Sequence, residues 1–250
     1  MKTNKWIILL LLVFFQCTSG IIIDNEYDLS ISPGNCFPET SDKYVYPIVP
    51  GMIEWQTANS DELLKFCQLP DDILKSISTP GLIDALIQAP LFTGFYLLSS
   101  NASALKWHGH YELFNSAKEL FLRKDAGSAL VAYYKFVCFN CIDQPFGAYG
   151  DYERIAGLEC LFTKQQILDS MEHIKKKEAV AALLANYKKC PDNVNSIFPM
   201  AHIMFADKYD PIVKYSSDHA EEFQYILDGY FYSLDNQVDL IVSFANKFVK

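Results

Sequence analysis

The chain has 250 residues, half of them hydrophobic, with 18 Phe and 15 Tyr. That composition excludes a disordered tether and is enough for one good-sized globular domain. Its 21 basic side chains face 30 acidic ones, for a formal net charge of −9. Nucleic acid is excluded as a partner on this ground, because phosphate binding needs a concentrated basic surface.

Lys2 and Lys5 precede an apolar run over residues 6–15, the positive region and apolar region of a secretory signal. The run is too short for a stable span, and no other segment has the ~18 uninterrupted apolar residues a transmembrane helix needs. Two cleavage readings follow from Gln16, Cys17, Thr18, Ser19 and Gly20. Either a lipoprotein signal ends at Gln16 and Cys17 carries the lipid, or a signal peptide of residues 1–20 is removed after Gly20. A thiol directly after the apolar region favours the first. Phe15 and Gln16 are bulkier than the small residues usually found there, while Thr18 and Gly20 suit the second. The expectation is an exported protein of the periplasm or cell envelope, touching the membrane through an N-terminal lipid on Cys17 only.

Residues 21–58 read as an extended lead-in, because Gly, Pro, Asn and Asp interrupt every apolar run. Within YPIVPGMIEW, Pro50 and Gly51 suit the two central positions of a type II turn. Tyr46 and Trp55 flank that turn as large anchors, and Trp55 is expected to be buried as a clamp against the first helices rather than exposed as a binding platform.

From Asn59 onward the pattern is helical, and residues 59–250 read as a single all-α domain of short antiparallel helices. Asn59 and Glu62 form a capping-box pair opening SDELLKFC. Pro70 starts DDILKSI, Thr79 and Pro80 cap and open GLIDALIQA, and Pro90 ends it. HYELFNSAKELFLRK, SALVAYYKFVCF, YERIAGLECLFTKQQILDSMEHI, EAVAALLANYKK, NSIFPMAHIMFADKY and the last thirty residues all carry apolar side chains at helical spacing. Gly127, Gly147, Gly150 and Pro191 punctuate the joins. The one basic cluster, Lys175, Lys176 and Lys177 before Glu178, is expected to be a solvated helix face. The tyrosines are expected at the rim of the core with wet hydroxyls.

The blocks YPIVPGMIEW, CQLPDDILKSISTPGLIDALIQAPLF and LFLRKDAGSALVAYYK resemble those of a family of exported bacterial proteins of uncharacterised function. The likeness rests on Tyr46, Pro47, Pro50, Gly51, Glu54, Trp55, Cys67, Gln68, Pro70, Pro90, Leu91, Arg123, Asp125 and Ala126. The chain departs from it at Ala89, where the family tends to have tyrosine. The resemblance implies a helical fold and export, and conveys no activity.

Seven cysteines are present. If Cys17 is lipidated or lost, the remaining six allow fifteen pairings. Cys67 and Cys160 fall in apolar helical patterns, where a thiol is a small hydrophobe, and most are expected to be unpaired. Cys138 and Cys141 have the spacing of a zinc or redox pair, but completing a site would take Cys160, Cys190, His173 or His202 brought in by folding. Packing near a helix end is the preferred account. His108, His110 and Glu112 form only a loose cluster, without the i, i+4 histidines of zinc peptidases, and are read as a surface turn. Ser128 in AGSAL lacks the glycine pattern of a nucleophile elbow, and no phosphate-binding loop occurs. The acidic pairs Asp71–Asp72 and Glu221–Glu222 sit where helix dipoles favour them. No catalytic, cofactor-binding or metal-ligating residue is assigned and no cofactor is expected. The functional expectation is an interaction or accessory module acting on an envelope protein or polymer. The alternative is an envelope hydrolase with a site assembled from residues outside any motif.

Overall fold

The computed structural model describes residues 27–32, 35–92, 111–137, 149–189, 194–229 and 234–250. Cys17, His108, His110, Cys138, Cys141, Gly147 and Cys190 lie outside them. Among the described residues the protein is all-α apart from a two-stranded antiparallel ribbon, with thirteen α-helices around one continuous apolar core.

The chain enters through that ribbon. Strand β1 (Leu29–Ser30) pairs with β2 (Glu39–Thr40), Leu29 opposite Thr40 and Ser30 opposite Glu39. The extended segment after β2 is fixed to a buried helix at two points. The Asp42 carboxylate accepts from Ser78 N at 2.5 Å and from Ser78 Oγ at 2.9 Å. The Tyr46 hydroxyl donates to Ala85 O at 3.0 Å. Val49 O then accepts from Met52 N at 3.2 Å, closing a turn whose third residue, Gly51, has φ +101°. This is the expected type II geometry, which demands positive φ where glycine stands.

Helix α1 (Ile53–Thr57) forms inside what the sequence suggested was irregular. Helix α2 (Ser60–Phe66) opens with the predicted capping box: Asn59 Oδ1 accepts from Asp61 N and Glu62 N, and Glu62 reaches back to Asn59 N. Helix α3 (Asp71–Ser76) follows Pro70, its first turn carrying Asp71 and Asp72.

Helix α4 (Thr79–Gln88) is the centre of the N-terminal half. Its N-cap is Ser78 rather than Thr79, with Ser78 Oγ accepting from Gly81 N at 3.1 Å. Thr79 is instead drawn inward, donating to Asp125 Oδ1 at 2.9 Å. The Cβ of any larger residue at position 81 would meet the Asp42 carboxylate, so glycine there is what lets the lead-in reach the helix start. Every residue from 79 to 87 is buried. Helices α5 (Asn115–Leu120), α6 (Ala126–Lys135) and α7 (Tyr149–Leu161) pack around α4.

Several residues of the family-like blocks are ties between these elements. Gln68 and Asn115 tie their two segments together: Gln68 Oε1 accepts from Asn115 N, Asn115 Oδ1 accepts from Leu69 N, and Asn115 Nδ2 donates to Leu69 O. Arg123 donates to Ile77 O at 3.0 Å and Leu74 O at 3.2 Å, capping the end of α3, while its Nε pairs with Glu119. A cation at a helix C-terminus satisfies carbonyls the helix leaves over.

The C-terminal half is built on α9 (His173–Lys189) and α10 (Ile197–Ala206), which pack on each other and on α13 (Leu234–Phe248). Helix α8 (Gln165–Asp169) lies against α6, where Gly127 N donates to Ser170 Oγ at 2.8 Å. Gly127 is thus inside the first turn of α6, not in a join. Helices α11 (Asp210–Asp218) and α12 (Ala220–Leu227) complete this half, α12 opening with Glu221 and Glu222. Helix α6 contacts α9 and so joins the two halves.

The lysine row is more engaged than a solvated face. Lys175 and Lys135 converge on Glu178 at 3.5 and 2.6 Å, and Lys176 lies 3.8 Å from Asp207 with its side chain 14% exposed.

The lead-in is anchored differently from the sequence reading. Tyr46 is buried, whereas Trp55 is only half-buried, its ring 6.4 Å from that of Phe66. The Pro50–Gly51 turn carries Trp55 onto α2 at the edge of the core, and the residue that reaches the interior is Tyr46. Tyr46→Ala should therefore cost about 3–5 kcal/mol, and Trp55→Ala only about 1–2 kcal/mol. Guanidinium unfolding of the two variants checks the order, and a larger loss for Trp55→Ala contradicts it.

Candidate functional site

A charged residue flanked on both sides by Leu, Ile and Ala in a buried helix is costly unless it is paired. Asp84, in the middle of α4, is such a residue, at 1% exposure. Its Oδ1 accepts from the Tyr133 hydroxyl of α6 at 2.9 Å, while its Oδ2 is buried with no hydrogen-bond partner. Burial raises its pKa above the ordinary carboxylate range. Asp42 adds to the rise, and the Tyr133 hydrogen bond and the charges of Lys43 and Arg154 oppose it.

Asp84 lines a half-open cavity of about 220 Å³ between the ribbon, α4 and α7. The elements deliver its polar groups in register. Asp84 and Gln88, four residues apart, share one face of α4. Asp151 and Arg154, three apart, share one face of α7, with Arg154 Nη1 3.1 Å from Asp151 Oδ1. Glu39 and Lys43 come from β2 and the segment after it, and Asn35 donates to Glu39 Oε1 at 2.8 Å. Arg154 Nε, like Asp84 Oδ2, is buried and unpartnered. Leaving such groups unpaired costs about 1–3 kcal/mol each. A folded protein that keeps two of them beside one cavity has polar capacity in reserve there.

A second buried carboxylate lies deeper. Glu159 of α7, fully buried, accepts from the Tyr134 hydroxyl at 2.5 Å and from Ser196 Oγ at 2.7 Å. This cluster pins α6, α7 and the turn before α10 together. Burial holds the hydroxyls of Tyr133 and Tyr134 well above their ordinary pKa, so both stay protonated donors. Tyr111 is also fully buried and donates to Gly157 O. These tyrosines are therefore not rim residues: their hydroxyls are satisfied by buried acceptors instead of water.

The residues singled out as possible ligands do not gather. His173 Nδ1 sits 2.6 Å from Asp207 Oδ2, and His202 donates from Nε2 to Leu227 O at 2.9 Å, its pKa lowered by burial. Cys36, Cys67 and Cys160 are buried thiols, with burial pushing Cys67 up to about 11 and Cys160 further. Among the described residues no three His, Cys, Asp or Glu side chains are grouped to hold a metal ion. Glu112 lies in a single turn of 3-10 helix (Tyr111–Leu113).

The sequence reading passed over Asp84 and Arg154. The signal was present: an acid flanked on both sides by apolar residues in GLIDALIQA. Comparison with family models, curated proteins and solved structures finds no match to this chain.

The buried carboxylate makes a stability test. Asp84 holds its proton to higher pH when folded than when unfolded, so the unfolded chain ionises first. Stability contributed by the protonated form is present below the ordinary value of ~4 and is lost as pH rises through the raised folded value. Relative to Asp84→Asn, wild-type protein should lose stability over that window, by about 1.4 kcal/mol for each unit of the rise. Unfolding curves at a series of pH values check this, and parallel pH dependence for the two proteins contradicts it.

Proposed function

We propose that the protein is exported to the cell envelope, held there by lipid on Cys17, and serves as a binding or accessory module whose recognition site is the ribbon–α4–α7 pocket. The observation that carries the recognition reading is the Asp84 carboxylate, with one oxygen spent on Tyr133 and the other buried without a partner, in a residue that lines the same cavity as Arg154. A donor and an acceptor kept apart on two rigid helices bind a ligand by orientation, which loops could not enforce as well. Export is supported by the basic and apolar regions of the N-terminus and by the family-like blocks. Among the described residues no helix is long and apolar enough to cross a membrane. In this reading the pocket takes a ligand small enough for about 220 Å³, and an envelope protein or polymer is the partner of the module as a whole.

One observation favours the hydrolase alternative. A carboxyl group with a raised pKa is suited to general acid catalysis. Under that reading Asp84→Asn abolishes turnover of an envelope polymer; under the binding reading no turnover is there to lose.

Fractionation tests the anchor. Cys17→Ala should shift the protein from the membrane to the soluble fraction, and wild-type protein should carry acyl chains on its first residue by mass spectrometry. A mature N-terminus at Ile21 in wild-type protein would sink the lipid anchor while leaving the pocket untouched.

A further inference from the structure

The ligand class follows from the charges that meet in the ribbon–α4–α7 cavity. Its wall carries the acids Glu39, Asp84 and Asp151 and the bases Lys43 and Arg154. A simple anion would enter against the three carboxyl groups, and a simple cation against the two bases. A molecule carrying both charges can place each beside its opposite.

The hydrogen-bonding capacity is divided in the same way. Arg154 uses Nη1 on Asp151, and its Nε makes no hydrogen bond. The edge left over, Nε with Nη2, is the fork that matches the two oxygens of a carboxylate. Asp84 uses Oδ1 on Tyr133 and leaves Oδ2, an acceptor able to take an N–H donor. Asp84 is anchored in the buried stretch of α4 from residue 79 to 87, so it is the fixed member of the pair. The Arg154 side chain is 30% exposed and is the movable one. Both partnerless atoms are closed to solvent, so a ligand enters as Arg154 shifts and exchanges Asp151 for the incoming carboxylate.

Size narrows the class further. A cavity of about 220 Å³ is below the ~300–1,000 Å³ typical of sites for drug-sized ligands. It suits a compact molecule whose charges are a few atoms apart.

We propose that this cavity binds a small zwitterion of the amino-acid type, its ammonium donating to Asp84 Oδ2 and its carboxylate seated on Arg154. The inference rests on the pocket being the recognition site. It does not depend on export or lipidation, and its test is made on the purified full chain.

Calorimetric titration of the protein with L-alanine, L-serine and L-glutamate is the experiment, with acetate and ethylamine as single-charge controls. At least one amino acid should bind saturably, and acetate and ethylamine should each bind at least about tenfold more weakly, a difference of about 1.4 kcal/mol. N-acetyl-L-alanine and L-alaninamide, each lacking one charge, should lose binding to wild-type protein. That arm needs no variant and survives any failure of a mutant to fold. Asp84→Asn and Arg154→Gln, if folded by circular dichroism, should weaken the amino acid by tenfold or more. Absence of binding by all three amino acids at about 10 mM, well above a ~1 mM dissociation constant, overturns the proposal and leaves the cavity to ordered water. Acetate binding as well as alanine makes it an anion site, and ethylamine binding as well makes it a cation site; either result overturns the proposal.

Discussion

A helix buried along nearly its whole length has no solvent face on which to keep a charge, and α4 carries Asp84 at its centre. That single constraint organises the N-terminal half. The carboxyl must be met from a neighbouring helix, and Tyr133 of α6 meets it. The helix ends must be satisfied by protein instead of water, so Asp42 and Ser78 close the start and Tyr46 takes a carbonyl near the finish. Arg123 holds the end of α3 just before it. Each of these ties draws another segment onto α4, and together they bring ribbon, α6 and α7 around it.

Tyr133 and Tyr134 extend the same logic across the molecule. Consecutive residues on a helix point about 100° apart, so the two rings leave α6 in different directions. One ends on Asp84 of α4 and the other on Glu159 of α7. Two adjacent residues thereby set the spacing of two helices from a third by hydrogen bonds to buried carboxyl groups. Such bonds are directional in a way that apolar contact is not. The cavity wall inherits that rigidity, since Asp84 and Arg154 stand on the helices so positioned.

The helical fold was legible because its signals are local. The Asn59 and Glu62 box, the Pro50–Gly51 turn and the acidic first turns of α3 and α12 all depend on neighbours within a few residues, and all form as read. The cap of α4 was misplaced by one residue because its decisive partner, Asp42, is 36 positions away. Trp55 was overrated for a related reason: size says how much a side chain could bury, while the turn before it decides where it goes. The pocket was invisible on the same principle. Glu39, Asp84 and Arg154 come from three elements far apart in sequence, and only Asp84 left a trace, as a lone acid in an apolar helix. Cys138, Cys141, His108 and His110 lie outside the described residues.

The bond between Asp42 and Ser78 has a mechanical meaning. Tension applied to the N-terminal end of the chain would pass through the ribbon, whose Leu29 is already in the core, to the hydrogen-bonded ties at Asp42 and Tyr46. Both attachments are on α4, one at its N-cap Ser78 and one at Ala85 in its last turn. A pull would therefore load a helix buried from residue 79 to 87, along its length. Strain at the tether would also be strain on the wall that carries Asp84, since Lys43 lies between the two attachment points. Tension on the N-terminal segment would thus act directly on the pocket wall.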